Sequence, residues 1–141
     1  MRSSYLEQNS GKYFQERPTV ITDEFATTGT NGEYTSGIIK KVSIPAGAYV
    51  TKVALLCTAA IATQDLDVGD GSNVDRFIDG IVSASAGDMI VAPHTVGTTV
   101  AGGISGGKYY AAADTIDVIT NITGTGDDEA GSAKLLVWYF V

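Results

Sequence analysis

Cysteine is almost missing from this chain of 141 residues: Cys57 stands alone, so no disulfide can form within it. It lies in the apolar run Val53-Ala54-Leu55-Leu56-Cys57, where a thiol behaves as a small hydrophobe, and this use of cysteine suits synthesis in a reducing cytoplasm. Histidine is equally scarce. His94 follows Pro93 with no second His or Cys nearby, which leaves no zinc ligand set. No stretch approaches the roughly 18 apolar residues of a membrane span, and Met1 to Gln8 lacks the apolar centre of a signal peptide. Neither a membrane partner nor secretion by a signal peptide is expected. Basic residues are outnumbered, nine against sixteen acidic ones, for a net charge of −7. Lys40 and Lys41 are the one adjacent basic pair, and strand alternation points them to opposite faces. Without a basic stripe to displace counterions, a nucleic-acid partner is not expected either.

What the chain does have is glycine: 17 of them against three prolines, in clusters that mark tight reversals. No segment repeats its apolar residues at a helical period. Period-2 alternation is instead legible in Gly37 to Ile44, and Pro45-Ala46-Gly47 turns the chain into Ala48 to Thr58. Along that second strand the alternation predicts Tyr49, Thr51, Val53, Leu55 and Cys57 on one face. Further strands are expected at Thr19 to Thr22, Asp65 to Val68, Arg76 to Val82, Asp88 to Ala92, Lys108 to Ala111, Thr115 to Ile122 and Ser132 to Val141. Such spacing predicts an all-β domain over 19–141, an antiparallel sandwich of the jelly-roll kind, with a barrel as the rival.

Residues 1–18 differ from this body. They are polar and mixed in charge, yet carry Tyr5, Leu6, Tyr13 and Phe14 ahead of Arg17-Pro18. A disordered tail is one reading. Aromatic anchors suit the other, an extended N-terminal arm that orders against a neighbour through Tyr5, Leu6, Tyr13, Phe14 and Arg17.

The last ten residues are apolar on both strand faces. Alternation puts Ala133, Leu135, Val137, Tyr139 and Val141 on one side and Lys134, Leu136, Trp138 and Phe140 on the other. One face can line the chain's own core. The second, with Leu136, Trp138 and Phe140, predicts an interface with further copies of the chain.

The motifs that could carry chemistry fall short. Gly102 to Lys108 matches the first seven positions of a phosphate-binding loop, but Tyr109 stands where a magnesium-holding Ser or Thr belongs, and a strand follows instead of a helix. Gly103-Ile104-Ser105-Gly106-Gly107 has the form of a serine-hydrolase elbow, yet the chain's one histidine precedes it. Asp65 to Asp75 is rich in the oxygen ligands calcium prefers, but Gly69 and Asp70 occupy the wrong places for a calcium loop and the closing Glu is absent; a structural turn is the expected reading. Asp127-Asp128-Glu129 reads as a solvated loop tip, and Asn121-Ile122-Thr123 as ordinary strand residues. No enzyme activity, metal or cofactor is expected.

Four stretches together resemble small virion proteins of tailed bacteriophages: Val42 to Gly47, Val68 to Phe77, Tyr109 to Ile116 and Ala133 to Phe140. The likeness covers about residues 38–141 and is to head decoration, or cement, proteins. It implies a β-sandwich subunit, commonly a trimer, attached to the outer capsid surface through the major capsid protein after assembly in the host cytoplasm. A tail-fibre or spike subunit that recognises carbohydrate is the alternative.

Overall fold

The computed structural model describes residues 17–27, 37–95, 107–120 and 131–141. They contain no helix. Eleven strands run in order as β1 (Val20–Ile21), β2 (Phe25–Ala26), β3 (Gly37–Ile44), β4 (Ala48–Ala59), β5 (Ile61–Asp70), β6 (Ile78–Ala84), β7 (Met89–Val91), β8 (His94–Thr95), β9 (Lys108–Tyr110), β10 (Asp114–Thr120) and β11 (Ser132–Phe140). The first sheet has the order β1-β11-β4-β7, with β2 also on β11 and β9 also on β4; the second has the order β3-β10-β5-β6-β8. All described pairings are antiparallel except β6 with β8. The expected all-β sandwich of two sheets is the observed architecture.

Its core follows from alternation. Ala133, Leu135 and Val137 of β11 and Val53, Leu55 and Cys57 of β4 face Val42, Ile44, Leu66, Val68, Ile116 and Val118 from the second sheet in one buried cluster. Burying each such side chain is worth roughly 1.5–3 kcal/mol, which lets a chain of this size hold together without staples.

Two features depart from the sequence reading. Trp138 pairs with Lys52 and Tyr139 with Val50, so Thr51 is an extra residue in β4, a bulge at which the alternation changes phase. Val50 and Ala48 therefore join the core, while Tyr49 and Thr51, expected on one face with Val53, Leu55 and Cys57, do not. The second departure is a corner. Only Ala60 separates β4 from β5 as the chain crosses between sheets, so β5 begins at Ile61 and not at Asp65. Gly131 sits against this corner: a Cβ there would lie 2.7 Å from Ile61 Cγ1 and 2.7 Å from Thr27 Oγ1. The short β2 and β8 were not expected at all, since two residues carry no periodicity.

The two faces of β11 should respond differently to truncation. Leu135→Ala removes a fully buried side chain and is expected to cost about 2–5 kcal/mol in urea unfolding. Phe140→Ala, at a side chain 62% exposed, should cost less than about 1 kcal/mol. Equal losses would contradict the assignment of faces.

Candidate functional site

One end of the sandwich is tied by a single carboxylate. Asp70 closes β5 and is 1% exposed. Its Oδ1 accepts the backbone N–H of Ser72 (3.0 Å), the backbone N–H of Asn73 (2.9 Å) and the Ser72 hydroxyl (2.9 Å). Its Oδ2 accepts from Arg76 Nε and from the Tyr110 phenol (2.8 Å). Tyr110 belongs to β9, so this bond joins the two sheets. A buried carboxylate is costly unless paired and hydrogen-bonded, and five donors meet that requirement. The turn folds back onto β5 so closely that a Cβ on Gly69 would lie 2.1 Å from Asn73 O. Val68 to Phe77 is thus a structural knot whose central oxygens are already occupied.

Burial by itself would raise the Asp70 carboxyl, but the hydrogen bonds from Tyr110, Ser72 and Arg76 outweigh it and hold the group below its ordinary value. Burial, and then the bond to Asp70, push the Tyr110 phenol well above its usual range, keeping it a donor. Cys57 is also raised, by burial first and then by Asp88, which leaves an inert thiol. Among the described residues Asp67 and Asp117 are the other buried carboxylates. Asp67 accepts the Gly80 N–H at 2.8 Å, and one oxygen of Asp117 has no hydrogen-bond partner among the described residues. Among the described residues no three His, Cys, Asp or Glu side chains converge as a metal site would require.

The outer face of the first sheet has a different character. Register aligns Ile21 of β1 with Leu136 of β11, Leu136 with Ala54 of β4, and Ala54 with Val91 of β7, an apolar row across four strands. Leu56 and Met89 extend it on one side. Toward the other end Phe140, Tyr49 and Tyr109 form an aromatic row over β11, β4 and β9, with the Phe140 and Tyr49 ring centroids 5.5 Å apart. The described strands place two charges on this face, Lys134 and Lys52, both positive in a chain of net charge −7. Lys52 Nζ stands 4.6 Å from the centre of the Trp138 ring.

The three residues expected at an interface therefore do share a face, but they are not equally available. Leu136 and Trp138 pack with Ala54 and Leu56 and are 6% and 8% exposed within a single chain; Phe140 is open. Around them stand exposed Ile21, Met89, Val91 and Tyr109, which the sequence reading did not single out. Met89 and Val91 were findable as alternate positions of one expected strand. Of the expected arm, Arg17 is exposed just before β1, whereas Tyr5, Leu6, Tyr13 and Phe14 lie outside the described residues, as do residues 102–106 and 121–130. Compared with protein-family models, curated proteins and solved structures, the chain matches none.

The Asp70 knot makes a pH-dependent contribution to stability. A folded pKa below the unfolded value of about 3.9 means that the contribution is complete above about pH 5 and lost as pH falls through the folded pKa. Asp70→Ala should cost about 3–5 kcal/mol at pH 7, because it leaves Arg76 and Tyr110 without their buried partner. The gap between wild type and variant should narrow on acidification in chemical unfolding. The same gap at pH 7 and at pH 2 would contradict this role.

Proposed function

We propose that the chain is a non-enzymatic structural virion protein: a decoration or cement subunit that assembles with its own copies, as a trimer, on the outside of a phage head and braces the shell. The observation that carries this reading is the apolar outer face of the first sheet, bordered by Ile21, Met89, Val91, Tyr109 and Phe140. Exposed contiguous apolar surface on this scale marks an interaction site. With strands ~4.8 Å apart and same-face residues ~6.8 Å apart, the outward positions, four each on β11 and β4, two on β7 and one each on β1 and β9, make a face of about 400 Å². Contact between copies that covers this area on each buries about 800 Å², the size of a weak interface, so the reading relies on several such contacts in a closed oligomer. Nearly covered Trp138, framed by open apolar neighbours, suits the centre of such a contact.

The fold is read as a jelly roll. Counting β1, β3, β4, β5, β6, β7, β10 and β11 as first to eighth, the sheets run first-eighth-third-sixth and second-seventh-fourth-fifth, the strand order of that fold. In this reading residues 1–18 are the docking arm for the capsid, and siblings in the oligomer add their weak contacts at high effective concentration. A tail-fibre or spike subunit would share the fold and the self-association.

Light scattering of the purified chain at micromolar concentration should give a closed oligomer. Val91→Glu, a change at an exposed position, should yield a folded monomer that still unfolds cooperatively, at a lower melting temperature that no longer depends on protein concentration. A wild-type monomer, or a variant that still assembles, would remove the face from the account. Deleting residues 1–18 should spare folding and assembly but lower occupancy on capsids stripped of the protein, read by co-sedimentation; equal occupancy would show that docking does not use the arm.

A further inference from the structure

We propose that the free edge of β3 is a strand-addition site for an extended segment of a partner protein in which acidic side chains alternate with small apolar ones. The other described edge strands of the two sheets are blunted by their shortness: β1, β2 and β8 have two residues each, β7 and β9 three. β3 has eight, pairs with β10, and leaves its far side unpaired among the described residues. The register tells which groups stand there. The Phe77 N–H is donated to Val68 O, so Val68 turns its backbone groups toward β6 and Gly69, one residue on, toward β10. Carried through the pairs Asp117–Gly69 and Asp117–Lys41, the same alternation points the N–H and C=O of Lys41 and of Ser43 away from β10.

Two donors and two acceptors on alternate residues are the set that an incoming antiparallel strand satisfies, while its side chains decide which strand is accepted. The residue opposite Lys41 shares the outer face with the lysine, which is exposed and in no ion pair among the described residues, so an acidic side chain there finds an open partner. The next residue of the incoming strand turns inward, over an open groove of about 390 Å³ between the sheets, with Val20 to Asp23 on one wall and Lys40 to Ser43 on the other. Val42 is buried in the core and Val20 packs against it, so a small apolar side chain continues the core at that point. The groove carries two lysines against one acid, Asp23, a charge opposite to the −7 of the chain as a whole. Lysines on an edge also discourage pairing with an identical edge, which directs the site to a foreign strand and not to β3 of a second copy. The groove lies at the β1 edge of the first sheet and Val91 on β7 at the other, so the inference goes beyond the assembly reading and does not depend on it.

The test is a ¹H–¹⁵N NMR titration of the full-length protein with the octapeptide (Val-Glu)4, its counterpart (Val-Lys)4 and a peptide of residues 1–18. The acidic octapeptide should shift the amides of Lys40 to Ser43 and slow hydrogen exchange at Lys41 and Ser43, and the basic one should bind about tenfold more weakly. Ser43→Pro removes one donor from the free side, where a strand tolerates proline, and should weaken the acidic octapeptide about tenfold while unfolding stays cooperative. Lys41→Glu, a change at an exposed side chain, should reverse the preference between the two octapeptides. Val91→Glu should bind the acidic octapeptide as wild type does whatever its assembly state, which separates this edge from the assembly reading. No shift with the acidic octapeptide, shifts that map elsewhere, or equal binding of both octapeptides before and after Lys41→Glu would overturn the proposal. So would tighter binding of the 1–18 peptide at β3, which would assign the edge to the chain's own N-terminal residues.

Discussion

A strand at the centre of a sheet must find partners for both of its faces, and β11 is that strand here. It is held by β4 along one side and by β1 and β2 along the other, so its backbone is satisfied from Ser132 to Phe140. Its inner residues complete the core of the sandwich, and no rearrangement of the chain could bury the outer residues there as well, because a shift of one residue would exchange the two faces. The fold answers in part by laying Ala54, Leu56 and the Lys52 side chain beside Leu136 and Trp138. It does not cover the surrounding ring of apolar side chains. That remainder is the exposed apolar surface on which the proposed association between chains rests.

Asp70 solves a complementary problem at one end of the same sandwich. Its carboxylate collects the turn through Ser72, Asn73 and Arg76 and reaches across to Tyr110 on the other sheet. An acidic stretch that would suit a cation by composition is thereby spent on holding the sheets together. Asp114 completes the arrangement from β10 by accepting the Gly71 N–H.

Much of this was legible in the sequence because strands write their faces at period 2. The extent of β3, the opposite faces of β11 and the turn at Pro45 to Gly47 all follow from local pattern and turn chemistry. What escaped depends on partners distant in the chain. The bulge at Thr51 is a feature of the pairing of β4 with β11, and it moves Tyr49 from the face it was expected to share with Val53 and Leu55 to the aromatic row with Phe140 and Tyr109. The corner at Ala60 carries no Gly or Pro signal. The Asp70–Tyr110 bond spans 40 residues, so the acidic loop alone could not reveal what occupies its oxygens. Likewise, alternation identified Leu136, Trp138 and Phe140 as one face, but their unequal exposure needed the order of the sheet.

The central claim, that this is a head-bound assembly subunit whose outer first-sheet face packs against other copies, is tested most directly by imaging it in place. Virions labelled with a gold-conjugated antibody against this chain should carry label on the head, in clusters that correspond to oligomers, and virions carrying Val91→Glu should lose those clusters. Label confined to the tail, or heads equally decorated by the variant, would contradict the account.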